Sequence, residues 1–181
     1  MTRRVIVTEF VTLDGVMEDS TPWRSGYSPN DGEFKRGELF ACGALLLGRV
    51  TYEGFASYWP TRTGAFADRM NGLPKFVATT TLDALDWNAT PLGDDVPGAV
   101  RALKRESGGD LLVYGSATLA RTLLRHGLVD ELRLMVFPLI LGRGKRLFSD
   151  EDRLPFQLKT SSDLGSGVML LIYEPDLTSG A

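Results

Sequence analysis

The sequence predicts an α/β fold: a mostly parallel central sheet, helices on both faces, and an antiparallel hairpin at the C-terminal end. Three observations carry this expectation. Apolar β-branched runs alternate with amphipathic runs along most of the chain. Twice an apolar run ends in Gly just as a helical pattern opens, at Leu45-Leu46-Leu47-Gly48-Arg49-Val50-Thr51 and at Leu112-Val113-Tyr114-Gly115-Ser116-Ala117-Thr118. Near the end, two strand-like segments flank Gly165-Ser166-Gly167.

The elements follow in order. Residues 5–11 are rich in Val, Ile and Phe and form the first strand, which runs into Thr12-Leu13-Asp14-Gly15. Residues 18–30 carry Ser, Thr, Pro and Gly without periodicity and read as a long loop, a type that usually has a function. A helix over 31–42 has an apolar face at Phe34, Leu39 and Phe40 and precedes a strand at 44–47. A helix over 51–58 stops before Pro60, and a short helix at 66–70 closes at Asn71-Gly72. Strands are expected at 75–79 and 87–90. A helix over 95–106, with Val96, Val100 and Leu103 inward, ends at Gly108-Gly109. The strand 110–114 and the helix 117–125 come next. The nearly unbroken apolar run 132–141 reads as a central strand that Gly142-Arg143-Gly144-Lys145 terminates, and the hairpin occupies 156–164 and 168–174.

At 181 residues, 43% hydrophobic and 24% charged, the chain is expected to form one domain over 1–181 with a full core. Its formal charge of −3 argues against a nucleic-acid partner or a polybasic membrane surface, and no apolar stretch has membrane-spanning length. The N-terminus lacks a signal-peptide pattern, so a cytoplasmic protein is expected. Cys42 is the lone cysteine and reads as a buried thiol inside the helix over 31–42. His126, the single histidine, sits before Gly127 at a helix C-terminus, where the dipole favours a cation. A Ser-His-Asp triad and a multi-histidine metal site therefore have no support, and no metal is expected.

Both Gly corners have the form of a phosphate site, because a strand feeding a helix through Gly aims free N–H groups and the positive dipole end at an anion. Two corners point to one ligand with several phosphates. Arg49 can fork onto a phosphate and Thr51 can bind another, or Arg49 pairs with a surface carboxylate. Thr79-Thr80-Thr81 offers hydroxyls at the same sheet edge, or forms a solvated turn. The second corner lacks Gly-x-Gly-x-x-Gly, and no Gly-Lys-Ser/Thr loop is present, so neither an ordinary Rossmann site nor a kinase-type loop is supported.

The order Thr12-Leu13-Asp14-Gly15, Leu47-Gly48-Arg49-Val50-Thr51-Tyr52-Glu53, Tyr114-Gly115-Ser116, then Val129-Asp130-Glu131-Leu132 and Pro138-Leu139-Ile140-Leu141-Gly142-Arg143-Gly144-Lys145-Arg146-Leu147-Phe148 resembles the dihydrofolate reductase superfamily. The resemblance is to the branch of the C-terminal reductase domain of the bifunctional riboflavin-biosynthesis deaminase/reductase, and it covers residues 3–174. It implies an NADPH-dependent reductase of a small heterocycle, similar to 5-amino-6-(5-phosphoribosylamino)uracil reductase, or a non-catalytic NADPH- or ligand-binding module of the same fold. Gly48, Arg49 and Thr51 would hold adenosine-side phosphates, with Thr79 and Thr80 near the 2′-phosphate. Tyr114, Gly115, Ser116, Ala117 and Thr118 would form the pyrophosphate corner, and Leu13, Asp14 and Gly15 would cover the nicotinamide. Asp31 and Asp14 are the candidate catalytic carboxylates; Trp23 and Phe34 would flank the substrate, with Phe137 as its floor. The chain departs from relatives in having Ser116 where a second Gly is common, and Met135 where a pterin-supporting Thr is expected. Arg143, Lys145 and Arg146 either meet a substrate phosphate or form a solvated turn. A homodimer is expected from the apolar strand at 132–141, the late hairpin and the habit of the branch; edge charges at Lys159, Asp163 and Glu174 would instead protect a monomer.

Overall fold

The computed structural model describes residues 2–82, 84–149 and 152–176. In chain order the strands are β1 (Val5–Thr12), β2 (Cys42–Gly48), β3 (Lys75–Ala78), β4 (Ala89–Pro91), β5 (Asp110–Tyr114), β6 (Glu131–Phe137), β7 (Phe156–Asp163) and β8 (Met169–Pro175). The helices are α1 (Ser20–Arg24), α2 (Gly32–Ala41), α3 (Arg49–Tyr58), α4 (Ala65–Gly72), α5 (Val96–Arg105) and α6 (Ala117–Arg125), with a 3-10 turn at Trp59–Thr61. The eight strands form one sheet in the order β4-β3-β2-β5-β1-β6-β8-β7. The pairs from β4 to β6 are parallel, and the β6–β8 and β8–β7 pairs are antiparallel. The expected α/β class, with its parallel centre and terminal hairpin, is the observed one.

Both faces of the sheet are covered, which is why the central strands read as continuous apolar runs. On one face Val5, Val7, Leu46, Leu111 and Val113 pack against Val100 and Leu103 of α5 and Leu119, Leu123 and Leu124 of α6. On the other, Ile6, Leu45, Leu47 and Leu112 pack against Leu39 of α2, Tyr52 of α3 and Met70 of α4. Leu45, Leu46 and Leu47 are all fully buried, and each such side chain contributes about 1.5–3 kcal/mol. A third cluster, around Met135 and Phe137 of β6 and Leu170 of β8, gathers Phe10, Trp23, Tyr27 and Phe34.

Several boundaries differ from the sequence expectation, each for a local reason. Part of the expected loop 18–30 winds into α1, which is only five residues long. Cys42 is buried as expected, but it is the first residue of β2 and not part of a helix, with extended dihedrals; its N–H still closes the last turn onto Glu38. The pairing with β5 shifts register between Cys42 and Ala44, where Gly43 and Gly109 approach so closely that a Cβ on Gly43 would lie 2.7 Å from the Gly109 nitrogen. The expected strand 132–141 ends at Phe137, because Pro138 cannot donate to the ladder and the chain turns there, with the Leu139 N–H donating to the Phe137 carbonyl at 2.8 Å. It then joins the loop after β1, where the Leu13 N–H donates to the Leu139 carbonyl.

Candidate functional site

The strand order sets β2 beside β5, so the two Gly corners that are far apart in sequence become neighbours at the carboxyl edge of the sheet. Gly48 ends β2 in an extended conformation and Arg49 opens α3; Gly115 and Ser116 both take positive φ, 60° and 67°, before α6 begins. Ser116 ties the corners together. Its Oγ accepts the Gly48 N–H at 2.7 Å and lies 2.9 Å from Thr51 Oγ1. A Cβ on Gly115 would approach Thr51 Oγ1 to 3.0 Å in a backbone conformation that disfavours side chains, so Gly is required at this turn.

Above the joined corners lies a cleft of about 480 Å³, lined by Gly48, Arg49, Val50, Thr51, residues 78–81, Val96, Ser116, Thr118, Leu119, Thr122 and Lys145. Seven hydroxyl side chains and two cations, but no carboxylate, stand among these lining residues. Six of the predicted cofactor residues line it together: Gly48, Arg49, Thr51, Thr79, Thr80 and Ser116, with Thr118 a seventh. Arg49 forms an exposed pair with Glu53 at 3.1 Å, an i,i+4 contact worth about 0.3–0.5 kcal/mol, too weak to withhold the guanidinium from a phosphate. Thr79 Oγ1 accepts the N–H groups of Thr81 and Leu82 and so shapes its own turn. Ala117 is buried at the start of α6. Tyr114 packs in the cluster on the opposite face and directs its hydroxyl to Glu38 Oε1 at 3.1 Å.

The Leu13-Asp14-Gly15 loop follows β1. Leu13 is exposed, and Asp14 is tied down by three donors: the Thr12 hydroxyl at 2.6 Å, the Gly142 N–H at 2.8 Å and the Leu141 N–H at 3.2 Å. The Thr12 hydroxyl, with those N–H groups, holds its carboxyl at about 2, so it stays ionised at neutral pH. Asp31 is the residue before α2, with its carboxylate 3.4 Å from the Arg24 guanidinium.

The predicted substrate residues Trp23, Phe34 and Phe137 converge in the third apolar cluster. Phe137 is fully buried and meets Phe10, Trp23 and Tyr27 edge-on, with ring centres 5.9, 5.3 and 5.5 Å away. Trp23 also donates to the Glu18 carbonyl, which ties α1 to the segment before it. Of the three basic residues on the loop after β6, Lys145 lines the cleft and Arg146 lies 3.9 Å from Asp14; Arg143 is exposed.

A group of buried polar side chains between these regions escaped the sequence reading. Glu38 accepts from Lys35 at 2.7 Å, Tyr114 at 3.1 Å and Thr8 at 3.3 Å on one oxygen, and from Arg133 at 3.3 Å on the other. Lys35 stands over the rings of Phe10 and Tyr114. Burial lowers its pKa, and Glu38 opposes that shift. On β1, Glu9 is 4% exposed and its Oε1 has no hydrogen-bond partner; burial pushes its carboxyl well above the ordinary range against the pull of Lys35 and the Gly115 N–H. The available signal was the Thr8-Glu9 pair inside an otherwise apolar strand. Among the described residues, no group of three or more His, Cys, Asp or Glu could hold a metal ion, and no helix is long and apolar enough to cross a membrane.

This architecture defines a pyrimidine-reductase-like and dihydrofolate-reductase-like fold. It superposes on a Shewanella sp. PV-4 protein named for riboflavin biosynthesis with a TM-score of 0.77 at 22% identity, covering 97% of this chain and 99% of that one. With the Thermotoga maritima deaminase/5-amino-6-(5-phosphoribosylamino)uracil reductase the TM-score is 0.67 at 19% identity, over 97% of this chain but 57% of the longer one. With the Enterococcus faecalis dihydrofolate reductase complexed with NADP(H) it is 0.63 at 15% identity, over 97% and 99% of the two chains. The RibD C-terminal domain model matches residues 3–170, and the chain belongs to that family. The uncharacterised Bacillus subtilis protein YyaP is 30% identical over 182 residues, covering 94% of each chain.

Proposed function

We propose that this chain is an NADPH-dependent reductase of a small heterocyclic substrate, similar in class to 5-amino-6-(5-phosphoribosylamino)uracil reductase. The observation that carries the reading is the composition of the cleft: in a protein of net charge −3, its lining among the described residues holds seven hydroxyls, Arg49 and Lys145 without a carboxylate. Such a donor set suits a ligand with several phosphates. The close backbone turn at Gly115, where a Cβ would meet Thr51, is the kind of cradle that a pyrophosphate needs.

In this reading Gly48, Thr51, Gly115, Ser116, Ala117 and Thr118 form the phosphate cradle, and Tyr114, whose side chain turns away to Glu38, contributes as the residue that leads β5 into it. Arg49, Thr79 and Thr80 take the 2′-phosphate. The dihydronicotinamide, when bound, supplies a hydride. Leu13, Asp14 and Gly15 cover it and exclude water, and the partly exposed Trp23 and Phe34 present an aromatic surface to a planar ring, while Phe137, fully buried and so not the expected floor, backs Trp23 from behind. Wild-type protein should bind NADPH at least about ten-fold more tightly than NADH, and Arg49→Ala should remove most of that preference, as fluorescence titration would read. Equal affinity of wild type for the two would refute the assignment of Arg49, Thr79 and Thr80.

One observation favours a second reading, a binding module without turnover. Both candidate catalytic carboxylates are engaged, Asp14 by its three donors and Asp31 by Arg24. Offering pterins, ribosylaminopyrimidines and small carbonyl compounds with NADPH separates the two. Cofactor oxidation with any of them supports the reductase, and tight NADPH binding with no turnover over the panel supports the module.

A further inference from the structure

The loop between β6 and β7 is bound to the loop after β1 over its whole near edge. Asp14 accepts from the Leu141 and Gly142 N–H groups, and the Leu147 N–H donates to the Gly15 carbonyl at 2.9 Å. Val16 and Arg146 form an antiparallel bridge, and the Met17 and Glu18 N–H groups donate to the Lys145 carbonyl at 3.0 and 3.3 Å. The Lys145 N–H returns to Glu18 Oε2 at 3.0 Å. The backbone of Lys145 thus belongs to the covering-loop pair. Its side chain does not stay there. It reaches across to α6, where Nζ donates to Thr118 Oγ1 at 2.9 Å, and it lines the cleft that Arg49 also lines.

Each part of this placement favours an anion beside Lys145. Thr118 lies in the first turn of α6, where unpaired N–H groups and the dipole attract negative charge. The ammonium meets a neutral hydroxyl, and among the described residues the cleft lining supplies no carboxylate to neutralise it. Glu18 engages the backbone of Lys145 and not its ammonium.

We propose that Lys145 is a phosphate-binding residue of the cleft, delivered by the loop that clamps residues 13–18, so that binding of a pyrophosphate at α6 and the order of the covering loop are coupled. This rests on the reading of the cleft as a dinucleotide site. A phosphate held by Lys145 restrains residues 141–147, and through the Asp14, Gly15 and Glu18 bonds it restrains the loop after β1. Lys145 therefore acts on the reaction by holding a loop closed, as a positioning residue.

The test uses the full chain, with ADP and 2′-AMP as probes beside NADPH. Lys145→Gln should weaken ADP and NADPH about ten-fold and leave 2′-AMP within about two-fold, while Lys145→Arg should restore most of the loss. Hydrogen exchange should show that saturating NADPH protects the amides of residues 13–18 and 141–147 in wild type, and that this protection is lost in Lys145→Gln at saturation. An unchanged ADP affinity in Lys145→Gln would overturn the assignment while leaving the dinucleotide reading intact. Full loop protection in that variant would overturn the coupling. If wild type binds neither ADP nor NADPH, the dinucleotide reading itself is wrong and this inference with it.

Discussion

Replacing Ser116 tests the joint between the two corners, and the structure predicts an inversion of the usual order of Ala and Gly. Ser116 accepts the half-buried Gly48 N–H at 2.7 Å and stands 2.9 Å from the Thr51 hydroxyl. Ser116→Ala leaves that N–H without its partner, a cost of about 1–2 kcal/mol. For a chain of this length each kcal/mol moves Tm by about 2–4 °C, so Ala should lower Tm by about 2–8 °C. Ser116→Gly loses the same bonds but relieves the left-handed conformation at φ 67°. That relief is worth about 1–2 kcal/mol, offset by about 0.5–1 kcal/mol of extra unfolded-chain entropy. The Gly variant should therefore stand about 0.5–1 kcal/mol above the Ala variant, roughly 2 °C in Tm, whereas Gly is the less stable of the two at most positions. Thermal and urea unfolding without ligand, followed by tryptophan fluorescence and circular dichroism, would measure all three proteins. An Ala variant as stable as the Gly variant would show that the turn carries no left-handed strain, and one as stable as wild type would show that the Gly48 bond contributes nothing.

Two further substitutions address the core. Glu9 holds its proton longer in the folded state than in the unfolded chain, so the folded state binds more protons, and stability falls as pH rises from the ordinary carboxylate range through the raised folded value. Glu9→Gln should abolish that fall, giving a flatter Tm profile above the ordinary carboxylate range and a gain over wild type that grows with pH; parallel profiles would mean that Glu9 titrates normally. Gly43→Ala would set a Cβ 2.7 Å from the nitrogen and 2.8 Å from the oxygen of Gly109, which forces two central strands apart. A loss of about 2–4 kcal/mol should follow in urea unfolding, and a variant within about 1 kcal/mol of wild type would show that the bulge opens freely.

The sequence by itself determined what local periodicity can encode. The fold class followed from apolar runs alternating with amphipathic ones, and the terminal hairpin from two such runs around Gly165-Ser166-Gly167. The helix of residues 117–125 and the strand of residues 110–114 stand where their patterns placed them, because Gly108-Gly109, Gly115 and Gly127 punctuate them sharply. Each phosphate-site corner was legible because its Gly, hydroxyl and guanidinium lie within a few residues of one another. The same local logic failed at residues 138–141, where apolar residues continue but Pro138 withdraws the chain from the sheet, and at Cys42, which a helical pattern claimed although the parallel pairing with β5 holds it.

Only the tertiary structure decided how these pieces meet. The order β2-β5-β1-β6 is set by crossover connections, and it brings Gly48 to Ser116, 68 positions away, and Lys145 to Thr118, 27 positions away. No periodicity records such pairings, since each arises from the packing of separate elements. The buried Glu9 and Glu38, with the partly buried Lys35 and Arg133, were hidden for the same reason. A charge inside a strand or on a helix reads as solvated until the fold removes the water around it, and then its partners, which come from β1, α2, β5 and β6, decide whether it is ionised.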